Sequence, residues 1–327
     1  MKTKFLRLIV PCLASLVCLT GCGDDLEAPT KDGYYKGIDF DSEGTDLIYA
    51  LQEHTFQKHK VYIPYAQYND YCKNTKAHDS IEKVSEKSNL NQYFYTGREA
   101  SSYGTREHVW PCANSDGLWA HDGQSKKSVH NVDYEAYAGG GSDLFHVRTA
   151  NSSVNTARGN SLFIDFDDVS PDLKSDLMEY GENGGKYKIK ITGYTKTSQG
   201  TIQYANRVEV DDAMKGDVAR ILVYVWMHYT SRPVVPDESV TVKYKSTKTV
   251  EINLKDMCGK LNFTNILGYD TIGKCAEKLV EWNKMDPPSE TEKLRNTTVQ
   301  RIQGNRNPFV DFPELLEQCL SEYIEVI

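Results

Sequence analysis

Three short segments between residues 106 and 160 constrain this chain more than any other part of it. They are Arg106-Glu107-His108-Val109-Trp110-Pro111, Asp143-Leu144-Phe145-His146-Val147-Arg148 and Ser153-Val154-Asn155-Thr156-Ala157-Arg158-Gly159-Asn160. Residues 143 to 150 have a strand-like apolar centre after the flexible Gly139-Gly140-Gly141, and Ser152 or Ser153 is placed to cap a helix through Asn155 to Asn160. The implied order is a strand carrying His108, a long loop, a second strand, then a helix carrying Asn155. A neutral imidazole accepts a proton from water near physiological pH, while carboxylate and amide oxygens suit a hard divalent cation. Base, carboxylate and carboxamide in this order are what one-metal hydrolysis of a phosphodiester requires.

The amino terminus points out of the cytoplasm. Lys2, Lys4 and Arg7 form a basic start, and Leu8 to Leu19 is an apolar run too short for a spanning helix. Leu19-Thr20-Gly21-Cys22 then resembles a bacterial lipoprotein signal cleaved before Cys22. Residues 1–21 are therefore read as a signal peptide and Cys22 as the lipidation site, anchoring a monomeric protein in the bacterial envelope or at the cell surface. Residues 22–44, acidic and glycine-containing, read as a flexible tether, and residues 45–327 as the catalytic domain.

Charge argues against a generally basic nucleic-acid coat. Residues 1–21 carry three basic and no acidic side chains, so 38 less 3 leaves 35 positive groups against 46 negative, a net of −11. A polyanionic substrate then needs a local patch and a metal rather than a uniformly positive surface. Five cysteines follow Cys22, at 72, 112, 258, 275 and 319. Two disulfides at most can form among them, and burial as small apolar side chains is an equal alternative for any one. No Cys-x-x-Cys is present, which disfavours a zinc ribbon.

Periodicity along the rest indicates an α+β fold with a helical carboxy-terminal part. Leu47, Ala50, Leu51 and His54 share one helical face, and Tyr65, Tyr68 and Cys72 suggest a second helix after Pro64. Gln92 to Tyr95 reads as a strand entering a turn at Gly97, and alternation at Tyr187, Ile189 and Ile191 and across residues 203–210 reads as further strands. Val218, Ala219, Leu222, Val225, Trp226 and Tyr229 define a long core helix, and residues 231–250 a hairpin insertion. Ser289 with Glu292 forms a capping box, and Pro313 opens a last helix.

The arrangement of the three segments resembles the ββα-metal (His-Me finger) nuclease motif, and more closely the bacterial endonuclease I family. The similarity extends to Tyr95-Thr96-Gly97-Arg98, Lys215-Gly216-Asp217-Val218-Ala219-Arg220, Leu279-Val280-Glu281-Trp282-Asn283, Arg295-Asn296 and Gln303-Gly304-Asn305-Arg306-Asn307-Pro308-Phe309-Val310-Asp311. It covers roughly residues 45–320. The resemblance implies that His108 is the general base, that Glu107 and Asn155 hold Mg²⁺ (or Mn²⁺ or Ca²⁺), and that products carry 5′ phosphates. Arg148, Arg158 and Arg306 are candidates for holding phosphate, with structural pairing to carboxylates an even alternative. His146, one strand period from Leu144 and Arg148, either orients the site through hydrogen bonds or packs beneath it. His121 and His130, in the long loop, are bystanders, and the later segments are read as helix capping and loop architecture.

The leading reading is a membrane-anchored, metal-dependent endonuclease acting on DNA, and on RNA as a further substrate, with little sequence preference. Two alternatives stand beside it: a phosphodiesterase on a small phosphate ester, and a non-catalytic lipoprotein that binds nucleic acid. The full Glu107, His108 and Asn155 set speaks against the last.

Overall fold

The computed structural model describes residues 26–75, 79–114, 118, 135–168, 177–192, 195–196, 202–203, 207–244 and 248–324. Residues 1–21, Cys22, His121 and His130 lie outside the described residues. The architecture is α+β, with short strands grouped toward the middle of the chain and helices concentrated after residue 212. No helix among the described residues is long and apolar enough to cross a membrane.

Helix α1 (Gly44–Lys58) buries Leu47, Leu51 and His54 of the expected face, with Ile48 and Phe56 in addition, while Ala50 is half-buried. The segment after Pro64 forms a 3₁₀ helix, Tyr65–Cys72, rather than an α-helix. Strands β1 (Asn91–Gln92) and β2 (Glu99–Ala100) pair through a tight turn, and β3 (Thr105–His108) pairs antiparallel with β4 (Val147–Ala150). Helix α2 (Ser152–Arg158) follows β4 directly. Next come β5 (Leu162–Phe163), β6 (Leu177–Tyr180), β7 (Ile189–Thr192), the small ladder of β8 (Thr195–Lys196) with β9 (Ile202–Gln203), and β10 (Arg207–Glu209). Four of these form one sheet in the order β5-β10-β7-β6, with β5 parallel to β10 and the other neighbours antiparallel.

Helix α3 (Asp212–Tyr229) organises the core. Its pattern suggested an amphipathic element, yet buried residues occur all round it, including Arg220 and His228, so it is a central helix wrapped by others. The hairpin of β11 (Ser239–Tyr244) and β12 (Lys248–Asn253) follows, then α4 (Ile272–Met285), α5 (Glu290–Gln303), α6 (Pro308–Asp311) and α7 (Glu314–Leu320). Ser289 accepts the Glu292 amide at 3.2 Å, which caps α5 as its sequence required. Lys215 pairs with Asp165 and Asp212, and Arg220 with Glu292, so this segment serves helix packing. No disulfide joins the five described cysteines, and four of them are buried as apolar side chains.

Part of the stretch 22–44, read in the sequence as a tether, is packed against the domain. Tyr34 and Tyr35 are 1% and 0% exposed, the Arg306 amide donates to the Tyr34 hydroxyl at 3.0 Å, and the Tyr35 hydroxyl donates to Asp311 at 2.6 Å. Both rings also lie against His54 of α1. Acidic composition averaged over residues 22–44 concealed two adjacent aromatics with enough apolar area to dock a segment.

Candidate active site

The β3–β4 ladder sets Thr105 opposite Ala150, Glu107 opposite Arg148 and His108 opposite Val147. Asn151, rather than Ser152 or Ser153, caps α2, its side chain accepting from the amides of Ser153 and Val154. The helix ends at Arg158, because Gly159 adopts φ 50° and closes it. Asn155 and Arg158 stand three residues apart and so share the helix face turned to β3.

Each of those two side chains grips the strand. Asn155 spends its amide protons on the Arg106 carbonyl at 2.9 Å and the Thr105 hydroxyl at 3.2 Å, which leaves its Oδ1 as an acceptor. Arg158 donates to the carbonyls of His108 and Val109 at 3.2 and 2.6 Å and stands 3.4 Å from Glu107 Oε1. Glu107 is 2% exposed and takes a 2.7 Å bond from the Tyr95 hydroxyl on the same Oε1. Its Oε2 accepts no hydrogen bond among the described residues. Burial pushes the Glu107 carboxyl above its ordinary range, with Arg158 and the Tyr95 hydroxyl opposing. Two oxygen acceptors, Asn155 Oδ1 and Glu107 Oε2, are thus left over, and they fit a hard divalent cation.

His108 is partly buried, and its ring lies roughly parallel to that of Tyr65 at 5.8 Å. Its Nε2 donates to the Gly141 carbonyl at 2.8 Å, which places the lone pair of the neutral ring on Nδ1. Burial lowers its pKa to about 4, the Gly141 carbonyl opposing and the nearby Arg106 and Arg158 adding to the fall. The ring is therefore a neutral acceptor at physiological pH.

The Gly139–Gly141 loop that holds His108 is itself fixed by His146. His146 Nε2 accepts the Trp110 amide at 2.9 Å, and its Nδ1 donates to the Gly140 carbonyl at 2.5 Å. Burial and the nearby His108 keep this ring neutral, lowering its pKa to about 3. Of the two roles open to His146 in the sequence, orientation is the one its hydrogen bonds serve. A Cβ on Gly140 would run into the Leu118 side chain, which would have to shift to make room.

Several sequence expectations are corrected. The strand reading of residues 143–150 holds only for Val147–Ala150, because the Asp143 carbonyl accepts the amides of His146 and Val147 in a helical turn. His146 therefore does not alternate with Leu144 and Arg148 on a strand face. Arg148 is 7% exposed and bound to Glu82 through Nε and Nη2, with its guanidinium over the Phe94 ring. Arg306 is 2% exposed and forks onto Asp311 with two 2.6 Å bonds. Arg158, at 1% exposure, is spent on β3. All three are buried and hydrogen-bonded within the chain, the structural alternative open to each in the sequence, although Arg158 keeps Nε without a hydrogen-bond partner among the described residues.

Other contributors carried no signal of their own in the sequence. Tyr95 has φ 69°, a left-handed conformation costly for a tyrosine, and this aims its hydroxyl at Glu107. Glu82 collects Arg148 and Arg295 beneath β4. Arg106 shares the β3 face of His108, is half-buried, and anchors on the Tyr65 carbonyl at 2.9 Å. Tyr95 and Arg106 lie in segments already singled out, though neither was assigned a role there, whereas Glu82 sits in ordinary polar surroundings.

Comparison with known proteins identifies the family. Residues 40–314 match the family model described as Endonuclease I. The extracellular ribonuclease of Bacillus subtilis (strain 168) is 32% identical over 214 residues, which is 65% of this chain and 52% of that protein. The extracellular ribonuclease of Bacillus amyloliquefaciens is likewise 32% identical over 214 residues, with the same shares. The chain spans about half the length of these curated relatives. With most of its length inside the family match, this chain belongs to the endonuclease I family.

Proposed function

We propose that the chain is a secreted, membrane-anchored endonuclease that hydrolyses phosphodiester bonds of DNA or RNA at the ββα unit formed by β3, β4 and α2. The observation that carries this reading is the commitment of both Asn155 amide protons to β3, the strand that carries Glu107 and His108, which leaves its carbonyl oxygen as an acceptor. Glu107 and Asn155 would hold the divalent cation, Mg²⁺ or else Mn²⁺ or Ca²⁺. When bound, it neutralises charge on the phosphate and on the departing 3′ oxygen.

The remaining steps belong to the chain's own groups. His108 Nδ1 takes the proton of the attacking water, and the Gly141 carbonyl steadies the ring through Nε2. The water oxygen bonds to phosphorus as the bond to O3′ breaks, leaving a 5′ phosphate. Arg106, on the same strand face as His108, is placed to meet a phosphate oxygen. Affinity resting on backbone contacts gives little base preference and a steep fall with salt. The names of the two Bacillus relatives support secretion and an RNA substrate.

The test is cleavage of plasmid DNA and of a long RNA with and without EDTA, in wild type and in His108→Ala, Glu107→Ala and Asn155→Ala. EDTA should abolish cleavage, and His108→Ala should slow it by about 10²–10⁴-fold with the fold retained. Undiminished cleavage in EDTA, after metal analysis shows no retained ion, would overturn the reading.

A further inference from the structure

We propose that His59, Asp143 and His228 form a second metal site, structural rather than catalytic, for a borderline transition ion such as Zn²⁺. The three residues are far apart in sequence and are brought together by the ends of α1 and α3 and the turn before β4. All are buried, at 6%, 3% and 0% exposure, and one ligand atom from each lies within 4.8 Å of the others.

The hydrogen bonds around the cluster define its donor atoms. The Thr55 hydroxyl gives its single proton to the Gln52 carbonyl at 3.0 Å, so its 2.7 Å contact with His228 Nδ1 must be accepted by the oxygen. His228 Nδ1 therefore carries the ring proton, and the lone pair sits on Nε2. That atom faces His59 Nδ1 at 3.5 Å. The spacing is long for a hydrogen bond but close to the ~3.3 Å that separates two nitrogens on a tetrahedral ion with bonds of about 2.0–2.1 Å. His59 Nε2 closes no hydrogen bond, although the Val61 backbone lies nearby. The atom that would meet the ion is His59 Nδ1, whose contact with His228 is this long one.

Asp143 supplies the third ligand atom of the cluster. Its carboxylate accepts from the Phe145 amide at 2.6 Å, the Tyr229 and Tyr224 hydroxyls at 2.6 and 3.0 Å, and Gln303 at 3.4 Å. These donors are all neutral. A buried carboxylate without a cation is costly, and an ion beside two imidazole nitrogens would supply one. The Gln303 bond is long, and Gln303 keeps Asn305 as an acceptor at 3.1 Å if that bond is given up. Thr55 behind His228, and the tyrosines behind Asp143, are outer partners of the kind that orient metal ligands. Two imidazoles with one carboxylate favour Zn²⁺ or a neighbouring transition ion over Mg²⁺. Such an ion would tie α1 and α3 to the turn that follows the loop holding His108.

The test uses the full chain stripped with EDTA and given Co²⁺, read by visible absorption, with thermal unfolding in Zn²⁺ alongside. Wild type should show the intense bands of low-coordinate cobalt at one ion per chain. Asn155→Ala should keep them, which separates this site from the proposed catalytic one, while His59→Ala and His228→Ala should lose them. Zn²⁺ at a hundredfold excess over its dissociation constant should raise the wild-type midpoint by about 5 °C. Absence of the bands in wild type, their persistence in His228→Ala, or an unmoved midpoint would overturn the proposal. Should the alanine variants fail to fold, the wild-type cobalt spectrum and its displacement by Zn²⁺ decide it.

Discussion

Arg158 of α2 donates to the carbonyl oxygens of His108 and Val109, at 3.2 and 2.6 Å, so this guanidinium locks helix to strand. Arg158→Lys keeps the charge but loses the fork that spans two carbonyls. It should lower unfolding free energy by about 2–4 kcal/mol and slow cleavage, as chemical denaturation and initial rates would register. A variant as stable and as active as wild type would return Arg158 to the role of a simple phosphate cation.

Tyr95→Phe removes only the hydroxyl that holds Glu107 Oε1 at 2.7 Å. Loss of a hydrogen bond to a metal-holding carboxylate typically weakens metal affinity by about 10–100-fold. The Mg²⁺ concentration giving half-maximal cleavage should rise by that factor, while the rate at saturating Mg²⁺ stays near that of wild type. An unchanged Mg²⁺ titration would show that the hydroxyl does not tune the site.

Glu82 contributes to the acid sensitivity of the fold. Burial opposes its ionisation, but Arg148 and Arg295 together outweigh that and hold its carboxyl below the ordinary value of 4.5. A depressed folded-state pKa adds stability that is present above about 4.5 and is lost as pH falls through the folded value. Glu82→Gln, which leaves two buried guanidinium groups short of a counter-charge, should cost about 3–5 kcal/mol at pH 7. The gap between variant and wild type should close as pH drops below 4.5 in denaturation series. A gap that is constant with pH would mean that the carboxylate charge contributes nothing.

Cys22→Ser tests the anchor. Wild type should partition into detergent with a lipid-modified Cys22 at its amino terminus, and the variant should remain in the aqueous phase. An aqueous wild type with an unmodified terminus at some other residue would remove the lipoprotein reading.

Local chemistry made much of this protein legible. The α+β class, the helical spans of α1 and α3 and the Ser289 cap of α5 depend on side-chain type at short spacing, which a linear text records, whereas the Glu292 carboxylate of the expected capping box goes to Arg220 instead. Family resemblance across most of the chain is likewise written in residue order.

Only the tertiary structure decided which polar groups are already spent. Arg148, Arg158 and Arg306 look alike as candidate phosphate cations, but burial commits each to a partner supplied by packing, Glu82, the β3 carbonyls and Asp311 respectively. Tyr34 and Tyr35 likewise join the core through contacts with residues near the far end of the chain, which composition over a short window does not register. The same holds for His59, Asp143 and His228, which converge because α1, α3 and the turn before β4 meet in space. Hydrogen-bond saturation and burial are properties of neighbours in three dimensions, so residue type sets what a side chain can do while packing sets what remains for it to do.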